Sequence, residues 1–430
     1  MFSILVLPNI TYTKNLESDS FIVLIRNVIR ELTKMRKDLQ FTLILPELVQ
    51  SLMLPNVQQV FLEIPTYPNQ MRCHFNTREF LNAVNFKEND FDVVYSLLPE
   101  WTSQAVNTLY NTTNLRPKIV GACHWFELPE NTKYEKTLLT QNLAGILEME
   151  ECGVNSQWLK NLVIGYASKI FSSSTTDELD SKIQPQYLGI DSIDISEKEF
   201  DGKIKTILFN SRDDSYTGFS WFIEEMDKLW QKRKDFKVIT TIASIKRPYL
   251  EKSSCLNRKS YLDTIKECYI HVGCFEQYSA WSIATTDALS RGVPSVLPND
   301  FCYPEMVGAN YSLLYNGRKE FVEKVVWLLD NPQSRQDIKS QIRKIIEPFL
   351  WENQVPKWYS GWKFLDGPWK CVGDKSESYQ EILKIIKAKK QITKKSLLKQ
   401  LSWGRGIPFS DYRNRLREEG IKTLRNGYKI

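Results

Sequence analysis

What most restricts the fold of this 430-residue chain is a regular alternation of short apolar runs with stretches of helical periodicity, repeated in two series. SILVLP (3–8) and FTLILP (41–46) are continuously apolar, the pattern of strands buried on both faces. Between them, FIVLIRNVIRELTKMRK (21–37) repeats Ile22, Leu24, Ile25, Val28, Ile29 and Leu32 at helical spacing, with Asp19 and Ser20 placed to cap it. VQQVFLEI (57–64), DVVYSLL (92–98), KIVGACHW (118–125) and SKIFSSS (168–174) read as further strands, with a helix around TSQAVNTLY (102–110). The second series runs KIKTILFNS (203–211), helix FSWFIEEMDKLWQK (219–232), FKVITTIAS (236–244), helix KSYLDTIKE (259–267), YIHVGCF (269–275), a helix through Asp287–Ser290, and PSVLP (294–298). Each series builds a parallel sheet with helices on both faces. The expected fold is α/β, with two Rossmann-like domains over 1–190 and 191–350 facing a cleft. A returning helix and linker follow over 351–383, in which the aromatics of WENQVPKWYSGWKF are core. A separate module occupies 384–430.

Several classes are excluded. The turn after the first strand, PNITYTKNLESDS, lacks GxGxxG, and the chain holds no GxxxxGK[ST]. These absences speak against a dinucleotide oxidoreductase and a P-loop NTPase. No apolar run reaches membrane-spanning length, since FIVLIRNVI is cut by Arg26. The start, MFSILVLPNI, lacks a charged n-region and reads as a strand. None of the eight cysteines forms CxxC, and there are three histidines. No metal site is expected, and reduced cysteines fit a cytoplasmic protein. Asp90-Phe91-Asp92 spells DxD but begins a strand, and reads as its solvated start.

Two facing Rossmann-like units bind nucleotides and phosphates where their strand C-termini meet. The stretch EQYSAWSIATTDALSRGVPSVLPNDFCYPEMVG (276–308) lies at such an end. Its DALSRGVP (287–294) resembles the E-A-x-A-x-G-x-P run of GT-B nucleotide-sugar glycosyltransferases. ILFNSRDDSYTGFSWFIEEMDKL (207–229) resembles that family's strand, G-R loop, K-G and helix. YLGID (187–191) resembles its N-G-I-D turn. The resemblance covers roughly residues 1–365. It implies that Asp287 contacts the nucleotide ribose, that Arg212 grips the diphosphate, and that His124 faces the donor sugar. Backbone N–H groups around Ser279, Ala280, Trp281 and Ser282 would meet the departing diphosphate. This chain departs from the pattern twice. The first glutamate of the family's acidic pair falls on Ser279, with Glu276 nearby as a sugar-side candidate, and the diphosphate lysine falls on Thr217. Lys246 or Arg247 would then supply the missing cation. His124 and Glu276 are the catalytic candidates. The resemblance leans toward retention at the anomeric centre; an inverting reaction would need a base, for which Glu17, Asp19, Glu127 and Glu148 are the candidates.

The last 47 residues differ from the body. Residues 384–430 net +11, while the whole chain nets +6. Lys394, Lys395 and Lys399 belong to one basic cluster, and Arg405, Arg413, Arg415 and Arg417 to a second. WGRGIP (403–408) reads as a tight turn between short helices, so the module is expected to be helix-turn-helix-like. Such a module suits the phosphates of double-stranded DNA. The combination resembles the DNA glycosyltransferases of T-even-type bacteriophages. It implies a UDP-sugar donor, with glucose or arabinose placed on the hydroxymethyl group of a modified base, 5-hydroxymethylcytosine first, in the cytoplasm of an infected host. The alternatives are transfer to a lipid or polysaccharide at a membrane surface, and a non-catalytic DNA-binding protein.

Overall fold

The computed structural model describes residues 2–7, 20–46, 54, 56–62, 76–84, 91–113, 117–128, 137–195, 202–212, 214–242, 245–253, 257–361, 383–389, 391–393, 422–424 and 427–429. The first series forms seven strands. They are β1 (Phe2–Leu7), β2 (Leu39–Pro46), β3 (Val57–Leu62), β4 (Val93–Ser96), β5 (Lys118–Cys123), β6 (Glu151–Val154) and β7 (Ile183–Pro185). They pair in the order β3-β2-β1-β4-β5-β6-β7, every pair parallel. Helices α1 (Ser20–Met35), α2 (Thr77–Val84), α3 (Pro99–Thr112), α4 (Thr137–Leu147), α5 (Gln157–Ala167) and α6 (Ser173–Lys182) cover its faces. The period of two in β1 shows why. Leu5 and Leu7 join one core, with α3 and α4, while Phe2, Ile4 and Val6 join the other, with α1.

The second sheet holds β8 (Lys205–Phe209), β9 (Phe236–Thr240), β10 (Leu250–Lys252), β11 (Ile270–Val272), β12 (Ser295–Pro298) and β13 (Leu314–Tyr315). Its order is β10-β9-β8-β11-β12-β13, again parallel. Its helices are α7 (Phe219–Lys232), α8 (Arg258–Lys266), α9 (Ile283–Ser290), α10 (Tyr303–Val307), α11 (Gly317–Asp330) and α12 (Pro332–Ile346). The strand order reverses between β1 and β4 in one sheet and between β8 and β11 in the other, and a parallel sheet opens a crevice at such a point.

The chain then returns to the first unit. Ile190 bridges Leu350, and α13 (Trp351–Gly361) buries Trp351, Val355 and Trp358 among the side chains of α1. Its tryptophans are therefore core, as expected. Gly189 is needed here, because a Cβ on it would lie 2.2 Å from the Trp351 ring.

One expectation is corrected. SKIFSSS (168–174) is not a strand. Residues 168–170 turn, and Ser172 caps α6 by accepting the Thr175 N–H at 3.3 Å. Serines at that point favour a cap over a ladder. The strands that do close the sheet, β6 and β7, have four and three residues and leave little periodicity to read. In the C-terminal module a helix over 383–389 buries Leu383 and Ile386. Beyond it, the described parts are short strands, and the expected turn at 403–408 with its flanking helices lies outside the described residues. The strands are β14 (Gln391–Thr393), β15 (Lys422–Leu424) and β16 (Gly427–Lys429), antiparallel in the order β14-β16-β15. In its register Ile392 and Thr423 both stand opposite Tyr428. Lys394, Lys395, Lys399, Arg405, Arg413, Arg415 and Arg417 lie outside the described residues.

Candidate active site between the two sheets

The register of β5 on β6 pairs Cys123 with Val154, so the next residues, His124 and Asn155, leave the sheet side by side. Asn155 Nδ2 donates to the His124 carbonyl at 3.2 Å, and its Oδ1 meets His124 Nδ1. Because Nδ2 must donate to that carbonyl, Oδ1 is the atom at the ring, and Nδ1 carries the proton. His124 Nε2 is then an acceptor. It is buried and has no hydrogen-bond partner among the described residues. Burial pushes the imidazole pKa down to about 4 against the opposing effect of Asn155, so the ring is neutral at physiological pH. The Phe21 ring lies 5.8 Å away.

Across from it, the turn after β8 carries Arg212. Its Nη2 donates to the Tyr216 hydroxyl at 2.8 Å, and its guanidinium carbon lies 5.9 Å from the Trp125 ring centre. Its Nε lies 3.6 Å from Asp214, and the side chain is largely open to solvent. Thr217 stands where the resemblance expects a lysine. It is buried, and its hydroxyl donates to the carbonyls of Arg212 and Asp214. It ties the turn shut rather than facing a ligand. Gly218 follows at φ 74°, and a Cβ there would lie 1.8 Å from the Cys274 carbonyl after β11. Only glycine lets the two strand-end turns approach so closely.

Aromatic side chains join the two units at these strand ends. Trp125 packs against Tyr216 and Tyr278 at 6.3 and 5.6 Å, and Trp158 of α5 against Tyr278 and Phe301 at 5.5 and 5.4 Å. Glu305 of α10 accepts the N–H groups of Gln157 and Trp158 at the start of α5, at 2.8 and 2.7 Å, and the Tyr187 hydroxyl at 3.2 Å.

The expected donor residues divide into two groups. Ser279 is buried, with its hydroxyl at 3.3 Å from the Tyr303 hydroxyl; Ala280 is buried. Trp281 packs between Tyr187 and Phe349. Ser282 caps α9 by accepting from the Thr285 N–H at 3.2 Å, which leaves the exposed Ile283 at the mouth of that helix. Glu276 pairs with Arg318 at 3.3 Å on the surface. Arg247 is held by Asp227 of α7 at 2.9 Å, with the exposed Lys246 beside it. Of the base candidates, Glu127 follows β5 and accepts from Trp125 Nε1 at 3.2 Å. Glu148 precedes β6 and so sits at the opposite edge of the sheet. Glu17 and Asp19 lie outside the described residues. Asp92, of the DxD sequence, accepts the Ser3 N–H at 2.8 Å beside β1. Among the described residues no group of His, Cys, Asp and Glu could hold a metal ion, and no helix is long and apolar enough to cross a membrane.

Several solved structures share this fold. A sucrose-phosphate synthase from Thermosynechococcus elongatus matches at TM-score 0.66 and 11% identity, covering 85% of this chain and 99% of its own. HepE of Anabaena, solved in complex with UDP, matches at TM-score 0.60 and 12% identity, covering 84% and 100%. The lipopolysaccharide outer core galactosyltransferase WaaB matches at 0.57 and 12%, covering 84% and 99%. The chain has the GT-B fold. No family model and no curated protein matches its sequence.

Within this GT-B cleft, sequence reasoning missed Asn155, Asn210, Arg258 and Glu305. Asn210 ends β8, and its Nδ2 donates to the Tyr261 hydroxyl at 2.8 Å and the Ala284 carbonyl at 3.2 Å. Its buried Oδ1 has no partner among the described residues. Arg258 opens α8 and pairs with Asp287 of α9, Nη1 to Oδ2 at 2.6 Å and Nη2 to Oδ1 at 2.5 Å. Asn155 and Asn210 follow strand ends, a signal that could have marked them; Arg258 and Glu305 meet their partners only through the fold.

Proposed function

We propose that the chain transfers a sugar from a UDP-sugar to the hydroxymethyl group of a modified base, 5-hydroxymethylcytosine first, in double-stranded DNA. The observation that carries the donor half is the set of polar groups at the strand ends of the cleft, two of them buried acceptors without a partner among the described residues. Arg212 offers a solvent-exposed guanidinium, held by Tyr216 and Asp214, for a diphosphate. His124 Nε2 is a buried acceptor suited to a sugar hydroxyl, and Asn210 Oδ1 is another on the nucleotide side. The start of α9 adds N–H groups and a positive helix end where charge grows on the departing diphosphate. The UDP held by HepE, a protein of the same fold, supports this choice of nucleotide.

The acceptor half rests on charge. A +11 module appended to a body netting −5 concentrates cations at one end of the chain, as a protein drawn to a polyanion requires. The acceptor base would leave the duplex to reach the cleft, and closure of the two units would keep water from the donor.

A saccharide acceptor on a lipid is the second reading, favoured by the similarity to WaaB. The deciding experiment incubates hydroxymethylated DNA, and separately a lipid-linked saccharide, with a panel of nucleotide sugars, followed by mass spectrometry of the products. A pentose or hexose mass added to the modified nucleoside is the expected result. Transfer to the lipid-linked acceptor alone, or to neither, overturns the DNA reading.

A further inference from the structure

Asp287 occupies the position where the resemblance places a ribose-binding acid, yet its carboxylate is already engaged. Each oxygen accepts one N–H of the Arg258 guanidinium in a parallel, two-bond pair. The Tyr261 hydroxyl faces it as well, and the residue is 3% exposed. A carboxylate so enclosed has little room to accept two hydroxyls from a ligand. Arg258 is its complement. Its side chain is 51% exposed, and a guanidinium carries five N–H groups, of which Asp287 takes one on each Nη. The remaining donors are held in one plane by a buried anchor. Asn210 donates through Nδ2 to the same Tyr261 hydroxyl and presents Oδ1, a buried acceptor without a partner among the described residues. Its assignment is firm because Nδ2 donates to the Ala284 carbonyl. A fixed set of donors and a lone acceptor thus flank one tyrosine at the end of β8, beside the turn that carries Arg212.

We infer that Arg258, and not Asp287, reads the ribose of the donor nucleotide. Its outward N–H groups donate to the ribose hydroxyl oxygens, Asn210 Oδ1 accepts a ribose hydroxyl hydrogen, and Asp287 is a positioning residue that holds the guanidinium flat. The inference rests on the nucleotide-sugar reading and deepens it. It reverses the polarity of recognition, since the protein supplies donors where an acidic residue would accept.

The test is calorimetric binding of UDP and of 2′-deoxy-UDP to the full chain and its variants. The wild-type chain is expected to prefer UDP. Arg258→Ala should weaken UDP binding about tenfold, the loss of one charge-assisted hydrogen bond, and should bring the two ligands to similar affinity. Because that variant leaves a buried carboxylate unpaired, Arg258→Lys is measured beside it. Lysine keeps the charge on Asp287 but loses the planar fork, and should also lose the preference for UDP. The inference is overturned if either folded variant keeps wild-type affinity and preference, for the freed Asp287 would then be the reader. Failure of the wild-type chain to bind UDP overturns it too, and removes the nucleotide-sugar reading with it.

Discussion

Glu305 accepts the backbone N–H of Trp158 at 2.7 Å, joining a helix of the second unit to the first turn of a helix of the other. The second oxygen takes the N–H of Gln157 at 2.8 Å. Helix starts leave such N–H groups unsatisfied and favour negative charge, so this contact ties the two halves of the cleft together. Glu305→Ala should lower unfolding stability by about 1–2 kcal/mol, read by thermal or urea denaturation. It should also raise the share of donor sugar lost to water relative to sugar transferred, because closure is what excludes water. An unchanged hydrolysis-to-transfer ratio would show that this contact does not govern closure.

His124 tests the sugar side of the site. If Nε2 accepts a hydroxyl of the donor sugar, His124→Ala should cut kcat by roughly a hundredfold, within the range for a positioned polar group in the reacting centre, while UDP affinity stays close to wild type. The pH dependence follows from the direction of its shift. Burial holds the pKa at about 4, so the ring stays neutral from neutral pH down past pH 5. The rate profile should show no inflection from this histidine near its ordinary value of 6.5. An inflection there that disappears in His124→Ala would show that the ring titrates and is solvated.

How much of this was legible beforehand depends on range. The strands with continuous apolar runs, β1, β2 and β5, and the helix with a clean apolar stripe, α1, were readable because their signal is local and repeats along the chain. Strands β7 and β13, of three and two residues, were not readable, since pairing with a neighbour defines them and no period can show in so few positions. The site divides in the same way. His124 and Arg212 follow strand ends, and the resemblance to the GT-B pattern marks them. The engagement of Asp287 was hidden because Arg258 lies 29 residues away. A motif names a residue type at a spacing, and says nothing of which side chain reaches it across two helices.

His271 should contribute strongly to a loss of stability in mild acid. It is fully buried in β11, with Nδ1 against the Ser295 hydroxyl at 3.0 Å and Nε2 without a hydrogen-bond partner among the described residues. Burial pushes its pKa down to about 3. The folded value lies below the unfolded one, so the unfolded chain binds more protons as the pH falls. The stabilising contribution is complete above about pH 6.5 and declines below it. At pH 5 the loss from this one group should be about 2 kcal/mol; His124 acts in the same direction. Denaturation midpoints at pH 7.5 and pH 5 for the wild-type chain and His271→Gln measure it. The variant should start less stable and lose less on acidification, and an equal acid loss in both would assign the effect to other groups.

The C-terminal module should be separable from donor binding and inseparable from DNA binding. Residues 384–430 hold 14 Lys and Arg against three acidic residues. If only about five of these cations neutralise phosphates, affinity for duplex DNA should fall more than a hundredfold between roughly 50 and 200 mM salt. A chain ending at residue 390 should keep its UDP affinity, lose that salt-dependent DNA binding, and transfer sugar to hydroxymethylated duplex at least tenfold more slowly. A chain ending at residue 420 should behave nearly as badly although it keeps most of the basic residues. It lacks β15 and β16, and among the described strands β14 pairs with β16 alone, so β14 loses that partner. Electrophoretic mobility shifts across a salt series, beside calorimetry with UDP, distinguish the two truncations. If the 420-residue chain binds and modifies DNA like the full chain, charge alone carries the contact and the sheet is dispensable. If the 390-residue chain does so, the cleft itself holds the DNA.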